Sequence, residues 1–136
     1  MDRVKDLLEK SGYSEKAIEY YLNKVNVGVF EDPDAFFSYT GPCGDTAEIY
    51  LKVENDRIED AKFQAIGCAG SFASGSALTE MIKGKTLEEA EKINEGDIIN
   101  HLGSMPKQKV HCACLVKRTL QKAIEKYKLK KWKHSD

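Results

Sequence analysis

The 136-residue sequence has no apolar run near the roughly 18 residues that a membrane-crossing helix requires, which excludes a span of that kind. Its first ten residues, MDRVKDLLEK, are charged throughout and lack the apolar centre of a secretory signal, so the expected compartment is the cytoplasm. It has no internal repeat and no low-complexity stretch, and its length suits one compact domain. It has four cysteines but no C-x-x-C pair. That excludes a zinc ribbon built from two such knuckles, and also a thioredoxin-like redox pair. In a reducing compartment the four are thiols or metal ligands rather than disulfides.

Charge is plentiful but unevenly placed. Residues 107–134 hold ten Lys or Arg against the single acid Glu125, a net of +9. Residues 1–106 hold eleven basic and twenty acidic side chains, a net of −9. The default for such a basic run is a solvated helix face. The sharper alternative makes Lys117, Arg118, Lys122 and Lys126 a docking surface for an acidic protein. Nucleic acid is not expected as a partner, because interleaved aromatics are few there, Tyr127 and Trp132.

Periodicity sets the elements. The opening residues form a short amphipathic helix with Val4, Leu7 and Leu8 on one side, stopped by Gly12. Ser14 caps a second helix whose apolar stripe is Ala17, Ile18, Tyr21, Leu22 and Val25. AFFSYT is a short edge strand. TAEIYLKV alternates Ile49, Leu51 and Val53 against polar residues, and IEDAKFQAI repeats the pattern with Ala61, Phe63 and Ala65. The turn Glu54-Asn55-Asp56-Arg57 joins these two as an antiparallel hairpin. Helices follow: a small-residue one over AGSFASGSALTEMIK, one with a Thr86/Glu89 capping box, one capped by Asp97, and a last one from Val110. That last helix has an apolar seam of Ala113, Val116, Leu120, Ala123, Ile124 and Tyr127. The expected fold is α+β, a three-stranded antiparallel sheet covered on one face by helices. An extension over 1–12 precedes the main domain, 13–127, and a basic tail, 128–136, is expected to fray.

The cysteines fall at three junctions, GPCGD, IGCAGS and VHCAC. Cys43 lies in a loop before a strand, Cys68 opens a helix, and Cys112 opens the last helix. Helix N-termini favour thiolate, the form that binds soft metals and attacks sulfur donors. Asp45 follows Cys43 by two residues and His111 directly precedes Cys112, so both suit a site of mixed S, N and O ligands. Gly41, Gly44, Gly67 and Gly70 flank the cysteines and leave room for something bulky. Taken singly, each cysteine is more often a small buried hydrophobe, Asp45 a turn residue and His111 a neighbour of a helix cap. His101 and His134 have no supporting neighbours. Cys114 stands roughly 200° around the helix from Cys112, on the side of Arg118, Gln121 and Glu125, which makes it a spectator.

Together the segments YSEKAIEYYLNKVNVG, GPCGD, EDAKFQAIGCAGSFASGSALTEMIKGK and KVHC closely resemble the IscU/NifU N-terminal family of iron–sulfur cluster assembly scaffolds, in order from Tyr13 to Tyr127. The resemblance implies cluster ligands at Cys43, Cys68 and Cys112, joined by Asp45 and His111, with Cys112 the candidate persulfide acceptor. It implies a carrier rather than an enzyme, whose cargo is a [2Fe-2S] cluster, with [4Fe-4S] as the alternative and Zn²⁺ able to occupy the site. The implied partners are a pyridoxal-phosphate cysteine desulfurase of IscS/NifS type, apo iron–sulfur proteins as recipients, and a second copy sharing a cluster. A zinc-dependent sulfur relay of SufU type is the alternative function, although no insertion separates Cys68 from Cys112. Where bacterial members carry L-P-P-V-K for a chaperone, this chain has Met105-Pro106-Lys107-Gln108-Lys109.

Overall fold

The computed structural model describes residues 3–42 and 44–134; Cys43, a predicted ligand, lies outside them. Helix α1 spans Arg3–Lys10. Its apolar side is not buried as the pattern suggested: Val4 and Leu7 are exposed, and Leu8 alone reaches the core. An eight-residue helix at the chain start has too little packed beside it to cover more.

Ser14 caps α2 (Glu15–Asn23) by accepting a 3.0 Å hydrogen bond from the Ala17 N–H. Ala17 and Ile18 are buried, but Leu22 is exposed. Lys24 turns left-handed and ends the helix, so Val25 no longer shares its stripe.

Strands β1 (Ala35–Thr40), β2 (Thr46–Glu54) and β3 (Arg57–Ile66) form one antiparallel sheet in the order β1-β2-β3. Asn55 and Asp56 both adopt positive φ, the pairing a tight two-residue hairpin turn requires. A register shift beside Lys52 and Val53 inserts one residue into β3. The shift explains why Ile58, three residues before Ala61, faces the core with Ala61 and Phe63 instead of falling on the opposite face.

Helix α3 (Ala69–Ile82) lies across β3. A Cβ on its Gly75 would stand 2.4 Å from the Phe63 ring, so only glycine lets helix and sheet approach this closely. Helix α4 (Leu87–Glu91) begins with the expected Thr86/Glu89 capping box. Helix α5 (Glu95–Leu102) is capped by Asn94, not by Asp97 as expected; Asp97 is the reciprocating third residue of that box. After a 3₁₀ turn at Lys107–Lys109, α6 (Val110–His134) packs on β1, β2 and α3. Ala113, Val116, Leu120, Ala123 and Ile124 are fully buried along it. Fully burying a Leu or Ile side chain is worth about 1.5–3 kcal/mol, so this seam contributes much of the hold on the sheet.

The lysine-rich end is helical as far as His134 rather than frayed. Lys128 pairs with Glu91 and Lys131 with Asp56, tying the far end of α6 to α4 and to the hairpin turn. The fold is thus the expected α+β arrangement of a three-stranded sheet covered by helices on one face. No helix among the described residues is long and apolar enough to cross a membrane.

Candidate metal centre

One end of the sheet sets the site. Thr40, Thr46 and Ile66 are register partners across β1, β2 and β3, so the loop over 41–45 and the segment after Ile66 leave from the same edge. The loop is pinned by a 2.9 Å hydrogen bond from the Gly41 N–H to the Asp45 carbonyl. The start of α6, a helix packed on β1, β2 and α3, arrives at the same end of the sheet.

Asp45, His111 and Cys112 each present one ligand atom, and these atoms lie within 4.8 Å of one another. Cys68 joins them, its Sγ 3.6 Å from that of Cys112. The His111 Nε2 lies 3.8 Å from Cys112 Sγ. Four of the five predicted ligands therefore meet in one place, and the fifth, Cys43, lies outside the described residues. Cys112 is fully buried, Cys68 partly so, and His111 is exposed.

The two sulfurs are electrostatically unequal. The Cys68 thiol is pushed down, first by the hydrogen bond from Cys112 and further by the Ser71 and Gly70 N–H groups at the start of α3. Cys112 is pushed up, by giving that same hydrogen bond and by burial. A helix N-terminus beneath Cys68 supplies the positive end of a dipole in the same sense.

Two of the four flanking glycines serve a different neighbour than expected, while Gly41 faces Leu115 and Gly44 open space. A Cβ on Gly67 would stand 2.7 Å from the Asp45 carboxylate, and one on Gly70 would crowd Cys112 Sγ at 3.1 Å. The bare backbone of Gly67 and Gly70 makes room for the Asp45 and Cys112 side chains.

Two residues escaped sequence reasoning. Ser71 Oγ lies 3.1 Å from Asp45 Oδ2 and 3.7 Å from Cys112 Sγ, so its single hydroxyl proton can be donated to either one of two predicted ligands. Its position three residues after Cys68, on the same side of α3, was the available signal. Tyr13 brings its hydroxyl to 3.2 Å from a Cβ built on Gly70, and its phenol is pushed up to about 12 by burial and then by Cys68 and Cys112. Nothing local in the sequence points to it.

Cys114 is exposed, on the side of α6 that also exposes Arg118, Gln121 and Glu125. It lines a cavity of about 290 Å³ with His111 and Arg118, beside the ligand cluster rather than in it. His101 is engaged elsewhere, its Nε2 2.9 Å from the Tyr20 hydroxyl. The side chain of His134 lies outside the described ones. A larger cavity, about 650 Å³, sits at the opposite end of the sheet around the Lys128–Glu91 and Lys131–Asp56 pairs and holds no thiol.

The class these features define is a small α+β protein whose thiol, imidazole and carboxylate groups converge where one sheet edge meets two helix N-termini. Within that class, residues 12–134 match the family model described as the NifU-like N terminal domain, and the chain belongs to that family. It is 47% identical over 116 residues to "Iron-sulfur cluster assembly scaffold protein IscU 1" of Archaeoglobus fulgidus, spanning 85% of this chain and 76% of that one. It is 43% identical over 124 residues to the scaffold protein IscU of Azotobacter vinelandii, spanning 88% and 96%. A crystal structure described as a putative iron-sulfur cluster assembly scaffold protein for the SUF system, from Fervidobacterium islandicum, superposes with a TM-score of 0.69. It is 30% identical and covers 82% of this chain and 96% of that one.

Proposed function

We propose that this protein is a scaffold on which an iron–sulfur cluster is built and from which it is passed on. Cys43, Cys68 and Cys112 supply thiolates to the iron, and Asp45 and His111 supply harder ligands. The observation that carries this reading is the convergence of Cys68, Cys112, His111 and Asp45 at one sheet edge, in a chain so similar to proteins named for cluster assembly.

The chemistry of the donor set suits a carrier. Iron in clusters prefers thiolate, so three cysteines give adequate hold. A carboxylate or imidazole in a remaining position is a weaker, exchangeable ligand, which keeps the cargo transferable. The cargo is a [2Fe-2S] cluster, with [4Fe-4S] the other product an anaerobic preparation would reveal. Sulfur arrives as persulfide from a cysteine desulfurase of IscS/NifS type, with Cys112 the acceptor, and apo-proteins in the cytoplasm receive the finished cluster. Toward the cluster itself the protein works as a carrier.

A second reading is favoured by the likeness to the SUF-system protein and by the ligand set itself. Zn²⁺ accepts Cys, His and Asp in tetrahedral geometry, and a zinc-held thiol would relay sulfur without building a cluster. Anaerobic incubation with iron, a sulfur source and a thiol reductant separates the two. Visible absorbance with matching iron and sulfide supports the scaffold, whereas tight zinc with no cluster supports the relay.

A further inference from the structure

The Cys68 and Cys112 sulfurs stand 3.6 Å apart, while a disulfide bond is about 2.05 Å long, so they need close by only about 1.5 Å to bond. Cys68 caps α3 with extended backbone, φ −101 and ψ 176, rather than sitting inside the helix. Its side chain is therefore free of the steric limits of a helical turn. Gly70 presents no side chain between α3 and Cys112 Sγ. The Ser71 hydroxyl at 3.7 Å and His111 Nε2 at 3.8 Å surround Cys112 with groups able to take or return a proton.

We propose that Cys68 and Cys112 act as a two-electron reducing pair, converting the sulfane sulfur of a persulfide into sulfide by closing a disulfide between themselves. A donor persulfide R–S–SH first passes its outer sulfur to one thiol of the pair, releasing R–SH. The second thiol then attacks the inner sulfur of the new persulfide. The Sγ–Sγ bond forms, the bond to the outer sulfur breaks, and that sulfur leaves as HS⁻ and takes up the proton given by the attacking thiol. The balance is Cys–S–SH plus Cys–SH giving Cys–S–S–Cys plus H₂S. The outer sulfur gains two electrons, and the two cysteine sulfurs lose one each. A low-molecular-weight thiol then reduces the disulfide and restores the pair.

The step answers a chemical need of the proposed function, on which it rests for its persulfide. A donor delivers sulfur at the sulfane level, whereas a cluster contains sulfide. Two adjacent thiols meet that difference without a separate electron carrier. Metal held by both thiols would prevent their closure, so release belongs to the metal-free protein and precedes cluster formation.

The test treats metal-free, full-length protein with glutathione persulfide under anaerobic conditions and follows sulfide, free thiols and intact mass. The expected result is one sulfide released and two thiols lost per chain, with peptide mapping joining Cys68 to Cys112. Cys68→Ser and Cys112→Ser should release no sulfide above background and retain the added sulfur, whereas Cys114→Ser should behave as the native chain. Zn²⁺ added beforehand should suppress release. Retention of the added sulfur by the native protein, a glutathione adduct in place of the bridge, or a bridge to Cys43 or Cys114 would each overturn the proposal. Mapping the native protein decides the matter even where a variant fails to fold. Cluster formation from free sulfide bypasses this step, so failure here leaves the scaffold reading standing.

Discussion

Asp45 accepts a hydrogen bond from the Ser71 hydroxyl at 3.1 Å, across the boundary between the sheet and α3. The carboxylate is thereby held over Gly67 and within 4.8 Å of Cys112 Sγ. We infer that, as a hard ligand or a base near thiophilic iron, it would keep the centre labile. Asp45→Ala should hold a cluster longer and pass it more slowly to an apo-ferredoxin. Decay of visible absorbance with a chelator present, measured beside transfer rate, is the check. If Asp45 were only a turn residue its loss would loosen the loop, and a shorter lifetime would refute the lability role.

The thiols should divide by position. Cys43→Ser, Cys68→Ser and Cys112→Ser should each lower iron bound after anaerobic assembly by about tenfold or more. Cys114→Ser, on the exposed side of α6, should leave iron and sulfide content near native values. An empty Cys114 variant would bring that residue into the site.

The opposite pKa directions at Cys68 and Cys114 give a reactivity test. Cys68 is lowered, first by the hydrogen bond from Cys112, whereas Cys114 is raised, first by burial and then by Glu95. Between about pH 6 and 8 a lowered thiol is already thiolate, so Cys68 in metal-free protein should alkylate at a nearly constant rate. Below its raised pKa, Cys114 should speed up by about tenfold per pH unit. Mass-resolved iodoacetamide labelling reads both at once, and parallel pH profiles would contradict the assignment.

Gly75 is a stability determinant away from the chemistry. Gly75→Ala places a methyl group 2.4 Å from the Phe63 ring, inside contact distance. Overpacking of this kind costs about 1–3 kcal/mol, and Tm should fall accordingly. Combining it with Phe63→Leu should recover part of the loss; strictly additive losses would show that the two residues do not share the strain.

The basic surface of α6 comprises Arg118, Lys122, Lys126 and Lys130, all exposed and spaced four residues apart. Lys117, grouped with them on sequence grounds, instead donates to the Glu91 carbonyl at 2.5 Å. Binding to an acidic desulfurase should weaken steeply with salt, and Lys122→Glu with Lys126→Glu should slow association without altering the fold. Calorimetry at two salt concentrations checks this, and salt-independent affinity would exclude the surface.

Much of this molecule could be read from local pattern. Alternation marked Ile49 and Leu51, the Thr86/Glu89 box marked α4, and junction placement marked Cys68 and Cys112, whose sulfurs the fold brings to 3.6 Å. What escaped depends on contacts between distant residues or on a local irregularity. The inserted residue in β3 shifted Ile58 onto the buried face, where simple alternation fails. Leu22 follows the helical period, but α2 stops one residue later. The lysine-rich end holds its helix because Asp56 and Glu91 lie within reach, which only the folded chain reveals. Ser71 and Tyr13 reach the ligands through tertiary placement in the same way.

The partners of the site are far apart along the chain: 44 residues separate the two sulfurs, and 26 separate Asp45 from Ser71. Helix α3 cannot fill that gap alone, since buried Ser71, Ser74, Ser76 and Thr79 give it no distinct apolar side to collapse upon. The ligands therefore assemble only after the sheet has closed and both α3 and α6 have docked. A nascent, truncated or thermally opened chain presents scattered thiols with little chelating power. On the scaffold reading proposed above, iron capture would then be tied to completed folding.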